Sequence, residues 1–134
     1  MTSAGEPPRI VVADDDLLLS SRVSASVERL GYRAVVVRSA DALDAAVHSR
    51  PRAVIVNLAV RGFDAPGAIR RMKADGATRG IPLLGFCGHR DTKRARAAQL
   101  AGCDAVTTNG VIAADLPRVL EQLLNSARRP DPTG

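Results

Sequence analysis

Three consecutive aspartates, Asp14, Asp15 and Asp16, stand where one short apolar run ends, and Asn57 closes another. Adjacent carboxylates are what a hard divalent cation takes through oxygen. A neutral side-chain amide at another run end offers one carbonyl oxygen and two N–H donors, but no nucleophile. Cys87 closes a further run as a thiol that reacts only when ionised, and nearby carboxylates would disfavour that ionisation. Cys87 and Cys103 form neither a zinc pattern nor a disulfide framework. His48 and His89 have no partner at ligand spacing and are expected as solvated surface residues. Arg90, Lys93 and Arg94 fall at i, i+3 and i+4, so a helix there would show a cationic stripe suited to an acidic protein surface or a phosphate backbone.

The elements that must hold these groups are legible from the apolar pattern. Ile10–Ala13, Ala34–Val37, Ala53–Asn57, Ile81–Phe86 and Ala105–Thr108 are short continuous apolar runs, as strands buried on both faces require. Amphipathic stretches separate them. Leu19, Val23, Val27 and Leu30 recur at helical spacing before Gly31, Ser39 is placed to cap a short second helix, and Asp64 to cap a third with Pro66 in its first turn. A basic helix is expected from about Arg90 to Leu100. A last helix begins near Pro117 and turns Ile112, Leu116, Val119, Leu120 and Leu123 inward. Strand and helix alternating five times predict a doubly wound α/β sandwich, whose ligands sit outside the carboxyl ends of the strands.

The expected boundaries are a disordered N-terminus over 1–8, one domain over 9–127 and a disordered tail over 128–134. The chain has 134 residues, with 19 basic against 14 acidic side chains, a formal charge of +5, and only two lysines, Lys73 and Lys93, among the basic ones. A pI near 10.2 fits an acidic or nucleic-acid partner and equally fits a plain preference for arginine. No apolar stretch approaches a membrane span and the first residues lack a signal-peptide core, so a cytoplasmic protein is expected.

Val12-Ala13-Asp14-Asp15-Asp16 through Leu30-Gly31-Tyr32, then Asp64, Ile81-Pro82 and Ala101-Gly102-Cys103-Asp104-Ala105 in order, resemble the receiver domain of response regulators over about Arg9 to Leu124. The resemblance implies a flavodoxin-like, CheY-like fold with a five-stranded parallel sheet in the order 2-1-3-4-5 and five helices. It also implies a phosphorelay signalling role in a two-component system. In that family an aspartate at the third strand end takes up a phosphoryl group, and the acidic pair holds magnesium. Here Asn57 stands at the acceptor position. Cys87 replaces the hydroxyl residue, Val106 the switching aromatic and Asn109 the phosphate-binding lysine, with Gly110 in place of the following proline.

The resemblance therefore implies an atypical pseudo-receiver that is not an enzyme. Asp14 and Asp15 remain as an acidic pocket, with magnesium bound at most weakly through Asp14, Asp15 and the Ala59 carbonyl, and no other cofactor. Losing an aspartate and a lysine together keeps the pocket's formal charge at about −2. Asn57 could donate to a carboxylate of the pair and so relieve its repulsion. The expectation is a stand-alone module working by protein–protein contact, with Arg90, Lys93 and Arg94 on the candidate partner face. A homodimer through the face of α4, β5 and α5 is a second arrangement. The alternatives are a working phosphorelay receiver that uses Asp16, Asp64 or a noncovalent ligand, and, ranked lower, a nonspecific nucleic-acid-binding module.

Overall fold

Apolar runs that do not alternate with polar residues must be covered on both faces. In the computed structural model, which describes residues 5–128, five such runs form one parallel sheet in the order β2-β1-β3-β4-β5. The elements are β1 (Arg9–Ala13), α1 (Leu17–Arg29), β2 (Arg33–Val37), α2 (Ala40–Val47), β3 (Ala53–Asn57), α3 (Ala65–Ala74), β4 (Leu83–Cys87), α4 (Thr92–Ala101), β5 (Ala105–Thr108) and α5 (Asn109–Arg128). This is the doubly wound CheY-like architecture that the sequence pattern and its resemblance predict. No described helix is long and apolar enough to cross a membrane.

The sheet separates two cores. On one face Ile10, Val12, Ile55, Leu84 and Phe86 pack with Val23 and Val27 of α1 and with Leu116, Leu120 and Leu123 of α5. On the other, Val11, Val54, Val56 and Leu83 meet α2 through Leu43 and Val47, α3 through Ile69 and Met72, and α4 through Ala98 and Ala101. The central strands β3 and β4 are buried at every position.

Capping side chains fix where the helices begin. Asp16, Ser39 and Asp64 each accept an N–H from the first turn of α1, α2 and α3, which satisfies a donor that the helix itself cannot. Leu30 closes α1, and Gly31 takes the left-handed conformation (φ 94°) just beyond it. Leu30 is 40% exposed rather than turned into the core.

Three element starts depart from the sequence expectation by more than a single residue. β4 begins at Leu83, after Pro82, whose missing N–H keeps it out of the ladder although its carbonyl still accepts from Val54 N at 2.9 Å. α4 begins at Thr92, because Asp91 caps it by accepting from Arg94 N. α5 starts directly after β5, where Thr108 Oγ1 accepts from Val111 N at 3.2 Å, and it kinks at Asp115 ahead of Pro117. It runs through Arg128, one residue past the expected domain boundary. At the other end Arg33 N donates to Pro8 O at 2.9 Å. Of the two tails expected to be disordered, residues 1–4 and 129–134 lie outside the described residues.

His48, expected as an isolated surface residue, instead joins α2 to the end of α3. Its Nδ1 lies 2.7 Å from Asp44 O and its Nε2 lies 3.0 Å from Asp75 Oδ2. The backbone carbonyl of Asp44, and after it the Asp75 carboxylate, raise the imidazole pKa above its ordinary 6.5. A raised folded value means that the stabilisation is complete below the unfolded pKa and is lost as pH rises through the folded one. Thermal midpoints measured from about pH 5.5 to about pH 8.5 should show a steeper decline in the native chain than in His48→Gln. Parallel profiles for the two proteins would refute the assignment.

Candidate functional site

Five strands pointing the same way bring their carboxyl ends to one edge of the sheet, where β1 and β3 are neighbours. Asp14 follows β1, and its backbone N–H donates to Val37 O at 3.0 Å, which turns its side chain into the edge. The residue is 0% exposed. Asp14 Oδ1 accepts from Asp16 N at 2.9 Å and from Asn57 Nδ2 at 2.9 Å, whereas Oδ2 is buried with no hydrogen-bond partner.

Burial is the main influence on this carboxyl and raises its pKa. The two hydrogen bonds oppose that effect, and the nearby Asp16 and Asp15 add to it. Both hydrogen bonds fall on Oδ1, so the charged form is supported on one oxygen only, against the cost of burial.

Asn57, 7% exposed, spends both ends of its amide. While Nδ2 donates to Asp14, Oδ1 accepts from Ala59 N at 2.9 Å. Only this orientation gives the carboxylate a donor and the backbone N–H an acceptor. Asn57 thereby ties the end of β1 to the loop entering α3. Asp15 reinforces the same loop from outside, with its Oδ2 accepting from Arg61 N at 3.1 Å and Gly62 N at 2.9 Å.

The residues carried forward from the sequence divide here. Asp14 and Asn57 meet directly, and Asp15 and Ala59 join the same loop network. Among the described residues, no hydrogen bond links Cys87, Val106 or Asn109 to that network. Cys87 is buried with its thiol 3.5 Å from Asp91 O, and burial first, then Asp91, raises its pKa. Cys103 is pushed up to about 11, mainly by burial, so neither thiol supplies a thiolate near neutrality. Val106 is half-buried against the core on the α2–α4 side. Asn109 is exposed and opens α5.

Magnesium prefers near-octahedral oxygen coordination with anionic ligands. This edge does not fit a dedicated magnesium site: the Asn57 oxygen and one Asp15 oxygen already accept backbone N–H groups, and the Asp14 environment disfavours its charged form. No group of three His, Cys, Asp or Glu suited to a metal occurs among the described residues.

The expected cationic stripe changes as well. Arg90 lies in the turn before the Asp91 cap, so it is not on α4 and the i, i+3, i+4 alignment with Lys93 and Arg94 is lost. Asp91 outcompetes the longer helix because its carboxylate caps Arg94 N and also pairs with the Arg94 guanidinium at 2.7 Å. The signal that marks this start is an aspartate three residues ahead of Arg94, at the N-cap spacing.

No family model matches the chain, and no curated protein matches it by sequence. Solved structures do match it by shape. The receiver domain of NtrX from Brucella abortus is 23% identical with a TM-score of 0.78, over 87% of this chain and 98% of that one. A CheY-like response regulator receiver domain protein from Methanospirillum hungatei is 16% identical with a TM-score of 0.79, over 91% and 97%. The receiver domain of a sensor histidine kinase from Pseudomonas aeruginosa, with a magnesium ion coordinated in its active-site cleft, is 18% identical with a TM-score of 0.80, over 89% and 98%. The chain has the CheY-like fold of response-regulator receiver domains.

Proposed function

We propose that this chain is an aspartate-less pseudo-receiver that works by protein–protein contact without phosphorylation at the strand end. The observation that carries the reading is the Asn57 amide, held between Asp14 Oδ1 and Ala59 N at 2.9 Å each. An acyl phosphate needs a carboxylate oxygen as nucleophile, and an amide has none. Phosphoryl transfer also relies on cationic or hydroxyl donors for the incoming oxygens. Cys87, Val106 and Asn109 stand at the other switch positions and supply no hydroxyl, aromatic ring or lysine there. The two alternative acceptors are committed elsewhere, since Asp16 accepts from Leu19 N at 2.9 Å and Asp64 from Gly67 N at 3.1 Å as helix caps.

The partner face in this reading is that of α4, β5 and α5. Lys93 lies on α4 and Arg90 just before it, both exposed, and Leu100 is 77% exposed near the end of the helix. Leu100 lies one helical turn from the exposed Arg96, and an exposed leucine beside a cation suits an acidic protein surface with an apolar centre better than a nucleic-acid backbone. Magnesium is not required for the contact.

Incubation with a small phosphodonor and magnesium, followed by intact-mass measurement, should leave the mass unchanged. A stable added phosphoryl group would overturn the reading.

A further inference from the structure

The opposite edge of the sheet, at the amino ends of β1, β2 and β3, gathers cations from positions far apart in sequence. Arg9 and Arg33 are register partners across β1 and β2. Arg52 precedes the Ile10–Ala53 pair and donates its N–H to Arg9 O at 2.7 Å. Neighbouring strands lie about 4.8 Å apart, so three arginine backbones stand in a row roughly 10 Å long. Their parity matches Val11, Val35 and Val54, so the row leans toward the face that α2 covers. Arg50 adds a fourth guanidinium from the loop after α2. Together these residues line a cleft of about 580 Å³ whose outer wall is Glu6, Pro7 and Pro8.

Two features set this cluster apart from an ordinary solvated surface. Like charges directly opposite one another across strands are destabilising, yet among the described residues no carboxylate lies within ion-pair distance of any of the four arginines. Glu6 is the one acid in the lining, which leaves a formal excess of three positive charges. Among the described residues, the one side-chain hydrogen bond from these guanidiniums runs from Arg9 Nη2 to Ser49 O at 2.7 Å, which satisfies a donor without cancelling its charge. Arg50 also adopts a left-handed backbone (φ 59°), the only described non-glycine residue to do so. Glycine would take that conformation without strain, so the loop after α2 holds an arginine where another residue would sit more easily.

We infer that this cleft binds a compact, multiply charged phosphate anion, of the kind presented by inorganic polyphosphate or by a nucleotide's triphosphate. The guanidinium fork matches phosphate oxygens bidentately, and several forks converging on one concavity suit clustered charge. A duplex presents singly charged phosphates spread along a convex surface, and no aromatic residue lines the cleft to stack on an unpaired base. The site lies at the far end of the sheet from Asn57 and stands whether or not position 57 is ever phosphorylated.

Titration calorimetry of the full chain with inorganic tripolyphosphate at low salt tests the site. Saturable one-to-one binding is expected, weakening as ionic strength rises. Arg33→Gln combined with Arg52→Gln should weaken it at least about tenfold, since two charge-assisted contacts are lost. Arg70→Gln combined with Arg71→Gln, which removes the same charge from α3, should leave it unchanged. All four side chains are at the surface, and a matched thermal midpoint verifies that each variant is folded. Equal affinity for ATP and tripolyphosphate would identify the triphosphate group as the whole ligand, whereas tighter ATP binding would add a contact to the Pro7–Pro8 wall. No binding at low salt, equal weakening by both double variants, or a short DNA duplex binding more tightly than tripolyphosphate would each overturn the inference.

Discussion

Asn57→Asp is expected to destabilise the fold by about 2–4 kcal/mol near neutral pH in the absence of divalent ions. The substitution keeps the shape and reverses the hydrogen bonding. Asp14 Oδ1 loses the N–H now 2.9 Å away and gains a carboxylate oxygen in its place. A charge-assisted hydrogen bond is lost and a like-charge contact appears at a residue that is 0% exposed. At this chain length the effect lowers the thermal midpoint by roughly 6–16 °C.

The pH dependence follows from the raised pKa of Asp14, caused first by burial. Its contribution to stability is complete below the unfolded value and is lost as pH rises through the folded value. A second carboxylate raises that value further, so the deficit of the variant should shrink on acidification and grow toward neutrality. Millimolar magnesium should recover part of the loss in the variant while leaving the native chain unaffected. Equal midpoints for the two proteins at neutral pH without magnesium would refute the role given to Asn57. Switching should not return with the aspartate, because Cys87, Val106 and Asn109 are unchanged. A full phosphorylation-driven conformational shift in this single variant would contradict the reading that Cys87, Val106 and Asn109 also stand in the way of switching.

Phe86→Ala should cost about 3–5 kcal/mol. Phe86 is 0% exposed and is the one aromatic fully enclosed in the described core, since Tyr32 and Phe63 are only half-buried. A chain with so few aromatics fills its interior with Val, Leu, Ile and Ala, and no neighbour has the volume to close the void. The damage would reach the site, because Phe86 is the register partner of Asn57 and its carbonyl accepts from Leu58 N at 2.8 Å. Chemical denaturation should show the full loss, and Phe63→Ala less than half of it. Similar costs for both would mean that burial is not what sets the scale.

The architecture was readable because parallel strands covered on both faces leave continuous apolar runs, and because Asp16, Ser39 and Asp64 sit where caps are needed. Asp91 carries the same capping signal and starts α4 at Thr92, which leaves Arg90 outside the helix that its basic spacing suggests. Half of the His48 arrangement was present as Asp44 at i−4. The other half, Asp75, is 27 residues away and comes close only through packing. The Asn57 bond to Asp14 spans 43 positions, and it could be anticipated because the resemblance had already placed both residues at one edge. The arginines at 9, 33, 50 and 52 carry no periodic signal, and it is the strand order that makes them neighbours.

The amide of Asn57 holds its two partners with no atom to spare. A phosphorylatable pocket has two occupancies, and an upstream enzyme selects between them. A pocket closed by its own side chain has one. For the pseudo-receiver proposed above, with a single resting form, the fraction of partner engaged would depend on affinity and on how many copies are present, and control would pass from modification to synthesis and turnover. Under that regime the dose of the protein is itself the signal.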